Sequence, residues 1–131
     1  MELHIKLKNS SVPVENYSAR SLAYLGDAVF ELFARSKTIL EGNIQVGKLN
    51  RKTVAYVKAT EQSKMYHAII GHLTEEELAV LKRGRNAVTK SHAKSATVSE
   101  YRHATGLEAL FGYLYLKGET ERLAELFELG V

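Results

Sequence analysis

Two acidic side chains stand where their type and spacing could do chemistry: Asp27 in "SLAYLGDAVFEL" (21–32) and Glu108 in "TGLEALFGYLYL" (105–116). Each lies in an apolar, helix-spaced run interrupted by an interior glycine, Gly26 in the first and Gly112 in the second. A mid-helix glycine costs about 1 kcal/mol relative to alanine and usually marks close approach of another backbone. Two helices packed at these glycines would bring Asp27 and Glu108 together. Carboxylates withdrawn from water in a pair are costly without a counter-ion. Oxygen ligands with no histidine or cysteine in the pattern suit Mg²⁺, with Mn²⁺ as a substitute. At 100° per residue, Asp27 falls roughly 170° from the centre of a Leu22/Leu25/Val29/Leu32 stripe, so it is not an aspartate forced into the core. Ala23, Tyr24 and Phe30 share its side of the helix and are expected to be half-buried. Glu31, one turn on, repels Asp27 by about 0.2–0.5 kcal/mol unless a cation intervenes. A plainer reading stays open, in which Asp27 is solvated or paired with Arg20 or Arg35. Glu31 to Arg35 is the favoured i to i+4 orientation for an ion pair.

A second chemistry is written in charge. The chain carries a net charge of +3, yet residues 82–103 alone hold Lys82, Arg83, Arg85, Lys90, Lys94 and Arg102 against Glu100, a local +5. Such a stretch on a near-neutral body suggests a polyanionic partner. The alternative is a solvated loop, with Arg83 and Arg85 completing a helix C-terminus. His67, His72 and His103 have no metal-ligand spacing and read as structural or surface residues. The chain has no cysteine, which excludes disulfides, thiolate metal sites and a cysteine nucleophile.

The elements that must position these groups are helices. A chain of 131 residues suggests one compact domain. Leu3, Ile5 and Leu7 alternate with His4, Lys6 and Lys8, and this segment is read as an extended arm over residues 1–17, ahead of a domain spanning 18–131. Ser18 opens a helix to about Leu40, followed by helical segments near 46–57 and 61–70. Thr74 and Glu77 form a capping box for a helix ending near "GRN". Residues 87–98 lack a clean period and read as a mobile loop. Ser99 is expected to cap a helix through Leu116 with a core stripe of Leu107, Leu110, Phe111 and Leu114, closed by Gly118. A last amphipathic helix opens at Thr120 and closes at Gly130. The expected class is all-α. No apolar run approaches membrane-spanning length and the first residues lack a signal-peptide core, so a cytoplasmic protein without a membrane role is expected.

"LAYLGDAVFEL" resembles the signature helix of the ribonuclease III catalytic domain, and "TGLEALFGYLYL" resembles its second acidic helix. "EEELAVLKRGRNA" between them resembles a segment of the short branch, Mini-ribonuclease III, which lacks the double-stranded-RNA-binding domain. The resemblance implies a two-fold homodimer of helical domains that hydrolyses double-stranded RNA with a divalent metal, leaving 5′-phosphate and 3′-hydroxyl ends. It implies a ribosomal RNA precursor of the large subunit as substrate, with a ribosomal protein as helper. Asp27 and Glu108 fall on essential metal-site carboxylates, and Arg83, Arg85, Lys90 and Lys94 become RNA contacts. Glu31 has no firm counterpart and would support the ligands from behind. Three positions where the family carries acids are here Arg20, Ala23 and Thr105. Their loss keeps a second reading open, a dimeric RNA-binding scaffold with impaired catalysis. A third, a helical protein-interaction module, leaves the basic stretch unexplained.

Overall fold

The computed structural model describes residues 12–88 and 97–131. The alternating arm residues Leu3, Ile5 and Leu7, and the basic residues Lys90 and Lys94, lie outside them. Among the described residues six helices follow one another: α1 (Ala19–Glu41), α2 (Val46–Val57), α3 (Ala59–Ile69), α4 (Glu75–Asn86), α5 (Val98–Leu116) and α6 (Thr120–Gly130). Short 3-10 turns occupy Val14–Asn16 and Ile70–His72, and no strand occurs among the described residues. The chain is all-α, as expected.

Local chemistry sets the helix starts. The Ser18 hydroxyl accepts from the Ser21 amide at 3.1 Å. Thr74 and Glu77 complete the expected capping box at the head of α4. α5 starts two residues earlier than expected, because Thr97 rather than Ser99 is its cap. Thr97 has Glu100 three residues on to reach back to its own amide, whereas Ser99 has Arg102 there, which offers no acceptor. Gly118, at φ 74°, turns the chain out of α5. Gly130 belongs to α6 rather than ending it, and its missing side chain leaves room for Met65.

α5 is the central strut. Its buried residues, Ala104, Gly106, Leu107, Ala109, Leu110, Phe111, Gly112, Tyr113 and Leu114, run around most of the helix, which fits an element enclosed by neighbours. α1, α3, α4 and α6 all pack against it. Phe30 of α1 meets Phe111 of α5 and Phe127 of α6 at ring-centroid distances of 5.3 and 5.5 Å, within the range of favourable aromatic pairs.

The buried face of α1 differs from the expected leucine stripe. Leu32 is 45% exposed and Tyr24 86% exposed, whereas Phe30 and Ala23 are buried. The face that packs on α5 runs through Leu22, Gly26, Val29 and Phe30. Counting only large apolar residues omitted Gly26, the point of closest approach. With Gly26 included, the face turns toward Asp27, which sits on its flank, roughly a third of a turn from its centre.

A second glycine pair was not anticipated. A Cβ on Gly84 would lie 2.9 Å from the Gly106 Cα, and one on Gly106 would lie 2.7 Å from the Leu81 carbonyl oxygen. α5 is therefore gripped at two glycines, by α1 at Gly112 and by α4 at Gly106. Just before α1, Val14 and Tyr17 pack on the core, and the Arg83 guanidinium donates to the Tyr17 carbonyl at 2.9 Å.

Candidate active site

The α1–α5 crossing brings the two acids to one place. A Cβ on Gly112 would lie 3.1 Å from the Gly26 nitrogen, and one on Gly26 would overlap the Glu108 carbonyl oxygen. The pair of glycines thus sets the main chain of residue 26 on that of residue 108. Asp27 and Glu108 line a common cavity of about 270 Å³ with Arg20, Ala23, Tyr24, Ala87, Val88, Tyr101 and Thr105. Asp27 is exposed and Glu108 half-buried.

Electrostatics mark the pair as unfinished. Burial pushes the Glu108 carboxyl up to about 8, with the neighbouring Asp27 charge acting in the same direction and a hydrogen bond from Gln62 opposing both. Gln62, on α3 and only 3% exposed, donates from Nε2 to Glu108 Oε2 at 3.4 Å. Among the described residues, neither Asp27 nor Glu108 belongs to an ion pair. Nor does any group of three or more histidine or acidic side chains form a larger ligand cluster there. Two carboxylates facing one cavity, neither ion-paired among the described residues although Arg20 also lines it, fit a divalent ion whose shell is completed by water and substrate.

The three positions at which the resemblance implies further acids converge on this cavity. Arg20, Ala23 and Thr105 all line it. Arg20 reaches across to the Ala87 carbonyl at 3.2 Å, at the end of α4, and the Thr105 hydroxyl turns back to the Tyr101 carbonyl at 3.0 Å. The site thus sets two acids beside Arg20, Ala23 and Thr105.

The remaining candidate residues lie elsewhere. Glu31 pairs with Arg35 at 2.8 Å, the i to i+4 arrangement that its spacing allows. Arg83 is exposed and holds Tyr17, while Arg85 is half-buried and donates to the Tyr66 hydroxyl at 3.1 Å. Both arginines therefore have intramolecular partners at the end of α4. His103 stacks on Tyr66 at 4.3 Å and meets Ser63 Oγ at 2.8 Å. Burial, then the neighbouring His67 and Arg85, hold its pKa below the usual histidine range, in keeping with a structural residue.

Gln62 is the site residue that sequence reasoning missed. Its signal was present: Gln62, Met65, Tyr66 and Ile69 recur at i, i+3, i+4 and i+7 and are all buried, so a lone amide interrupts an otherwise core-facing stripe.

The chain has counterparts among known proteins. Residues 20–119 match the ribonuclease III domain family. The chain is 46% identical over 108 residues to the Mini-ribonuclease 3 of Symbiobacterium thermophilum, covering 82% of this chain and 83% of that protein. It is 47% identical over 114 residues to the Mini-ribonuclease 3 of Desulfitobacterium hafniense, covering 87% and 72%. A crystal structure of a Fusobacterium nucleatum protein superposes with a TM-score of 0.80 at 37% identity, covering 88% of this chain and 92% of that one. The chain belongs to the ribonuclease III domain family, with the Mini-ribonuclease 3 proteins among its relatives.

Proposed function

We propose that this protein is a divalent-metal-dependent endoribonuclease that hydrolyses phosphodiester bonds in double-stranded or structured RNA. The observation that carries the reading is the acid pair without an ion-pair partner among the described residues, Asp27 and Glu108, lining one cavity in a chain of ribonuclease kinship. These two carboxylates would hold the ion, Mg²⁺ by the oxygen-only donor set and Mn²⁺ as its substitute. A bound divalent cation supplies charge stabilisation at the phosphate and acidifies an attacking water. The carboxylates' task is to fix the charge at the cavity, and no side-chain nucleophile is required. The products would carry 5′-phosphate and 3′-hydroxyl ends.

Double-helical RNA is read by shape, through phosphates and 2′-hydroxyls. Arg83, Arg85, Lys90 and Lys94 are our proposed phosphate contacts. Residues 18–131 form the catalytic unit in this reading, with 1–17 as an arm. A two-fold homodimer would set two cavities on opposite strands. The proposed substrate is a large-subunit ribosomal RNA precursor, presented with a ribosomal protein as helper in the cytoplasm. No helix among the described residues is long and apolar enough to cross a membrane.

The test is cleavage of a double-stranded RNA with and without Mg²⁺, by the native chain and by Asp27→Asn. Asparagine preserves shape and removes the charge. Cutting by the native chain, with binding but no cutting by the variant, supports the nuclease. Binding without cutting by both, in Mg²⁺ and in Mn²⁺, favours the scaffold reading suggested by Ala23 and Thr105 in the cavity. Equal cutting by both removes Asp27 from the chemistry.

A further inference from the structure

We propose that Gln62 is a positioning residue that holds the Glu108 carboxylate in place for the cation from the buried side of the site. The inference rests on the nuclease reading and deepens it. Gln62 is 3% exposed and stands on the core-facing stripe of α3. Burying an amide has a cost unless hydrogen bonds return it, and a leucine or methionine here would pack without that cost. Among the described residues the hydrogen bond made by the Gln62 side chain goes to Glu108 Oε2, at 3.4 Å. That distance exceeds the roughly 2.7–3.2 Å usual for N–H···O bonds, so the contact is a long one.

The donor sense matters. An N–H aimed at one carboxylate oxygen fixes the orientation of the group, as outer-shell donors do for ligating side chains. Asp27 shares the cavity with Glu108. Glu108 is thus held between a neighbouring acid on the cavity side and an amide donor on the core side. α3 supplies the donor, and α3 packs directly on α5, so the amide is fixed by the fold rather than by solvent. Outer-shell hydrogen bonds of this kind orient ligating groups, and their removal typically weakens metal binding by roughly 10–100-fold.

The experiment uses the full chain and two variants, Gln62→Leu and Gln62→Met. Mn²⁺ binding is measured by calorimetry without RNA, folding by cooperative thermal unfolding, and kcat and KM on double-stranded RNA. The expected result in either folded variant is an Mn²⁺ Kd raised roughly 10–100-fold, with KM for RNA unchanged. Restoration of cleavage at high Mn²⁺ would support the same role. A folded variant with native Mn²⁺ affinity and native kcat overturns the proposal. So does failure of both variants to fold, since Gln62 would then be a structural residue. A native chain that neither binds Mn²⁺ at a site lost in Asp27→Asn nor cuts RNA overturns the nuclease reading itself. The two failures are therefore distinguishable.

Discussion

Gly26 rests on the main-chain carbonyl of Glu108, so closely that a side chain at position 26 would occupy the oxygen's own place. The residue beside one acid is thus the seat of the other. The site is a property of the helix crossing, because neither carboxylate owes its position to a loop. A helix crossing also explains why a chain would retain a glycine at the centre of a long helix, where it weakens the local structure.

Substitution of Gly26 tests that relationship. Gly26→Ala adds a methyl where there is backbone, so α1 and α5 must separate. Overpacking costs about 1–3 kcal/mol and more where backbone is struck, which outweighs the ~1 kcal/mol that alanine gains in helix propensity. Denaturant unfolding should show a loss of about 3 kcal/mol, accompanied by loss of cleavage. Gly112→Ala, which overlaps the Leu22 carbonyl, should behave alike. Gly71 has open space around it, so Gly71→Ala is the control and should leave both stability and cleavage close to native. Native-like stability of Gly26→Ala would mean that the crossing is looser than the structure has it.

Glu108 should be a stability burden as well as a ligand. Burial and Asp27 raise its folded pKa from 4.5 to about 8, so the ionised form is disfavoured in the fold. For a raised carboxyl the unfolded chain releases its proton first. The metal-free protein therefore loses stability, relative to Glu108→Gln, as pH rises from about 4.5 toward about 8, and the gap stays constant above that. Thermal unfolding of both proteins from pH 4 to 9 measures it, and parallel curves would remove the burial argument. Added Mg²⁺ or Mn²⁺ should raise the native midpoint and leave that of Glu108→Gln unmoved, since a ligand stabilises only the state that binds it.

The opposite sign is expected at Glu77. The Arg122 guanidinium, bonded to both its carboxylate oxygens at 2.8 Å, and the Thr74 amide hold this buried carboxyl below the usual range. A depressed carboxylate stabilises the fold above its unfolded pKa, and that contribution is lost as pH falls through the folded pKa. Arg122→Met leaves Glu77 buried without its partner and should cost about 3 kcal/mol at pH 7, because removing one partner strands a charge. The deficit should shrink as pH falls below the usual carboxylate range and through the lowered folded pKa of Glu77. Urea unfolding at pH 7 and pH 3 compares the two, and an equal deficit at both would assign the loss to packing.

The parts of this molecule that the sequence made legible are those written in local chemistry. Ser18 and Thr74 announce two helix starts by their own side-chain oxygens, and Gly26 with Gly112 announces a crossing that the structure contains. The cap of α5 was misread because two hydroxyl residues, Thr97 and Ser99, compete, and the choice turns on the acid three residues beyond. The orientation of α1 was misread because glycine and alanine carry no hydrophobic weight, yet they are where helices come closest. What Gln62 faces was not legible for a different reason. Its partner is 46 residues away in sequence, and no period within α3 reveals what an amide faces across the core.

The basic end of α4 separates two roles that the sequence left together. Arg85 is half-buried and donates to the Tyr66 hydroxyl, so Arg85→Ala should cost about 1 kcal/mol through that hydrogen bond, leaving a polar group behind. Arg83 is exposed and donates to the Tyr17 carbonyl, which water can serve in its place. Arg83→Ala should therefore cost only a few tenths of a kcal/mol, within the ordinary range for surface changes. If its charge also meets a phosphate, the same substitution lowers the slope of log affinity against log salt by about one. RNA binding by Asp27→Asn, with and without Arg83→Ala, across a series of salt concentrations gives the slope without cleavage. A slope change in the Arg83 variant, at unchanged stability, assigns the residue to RNA. An unchanged slope with a weakened fold returns Arg83 to holding Tyr17 against the end of α4.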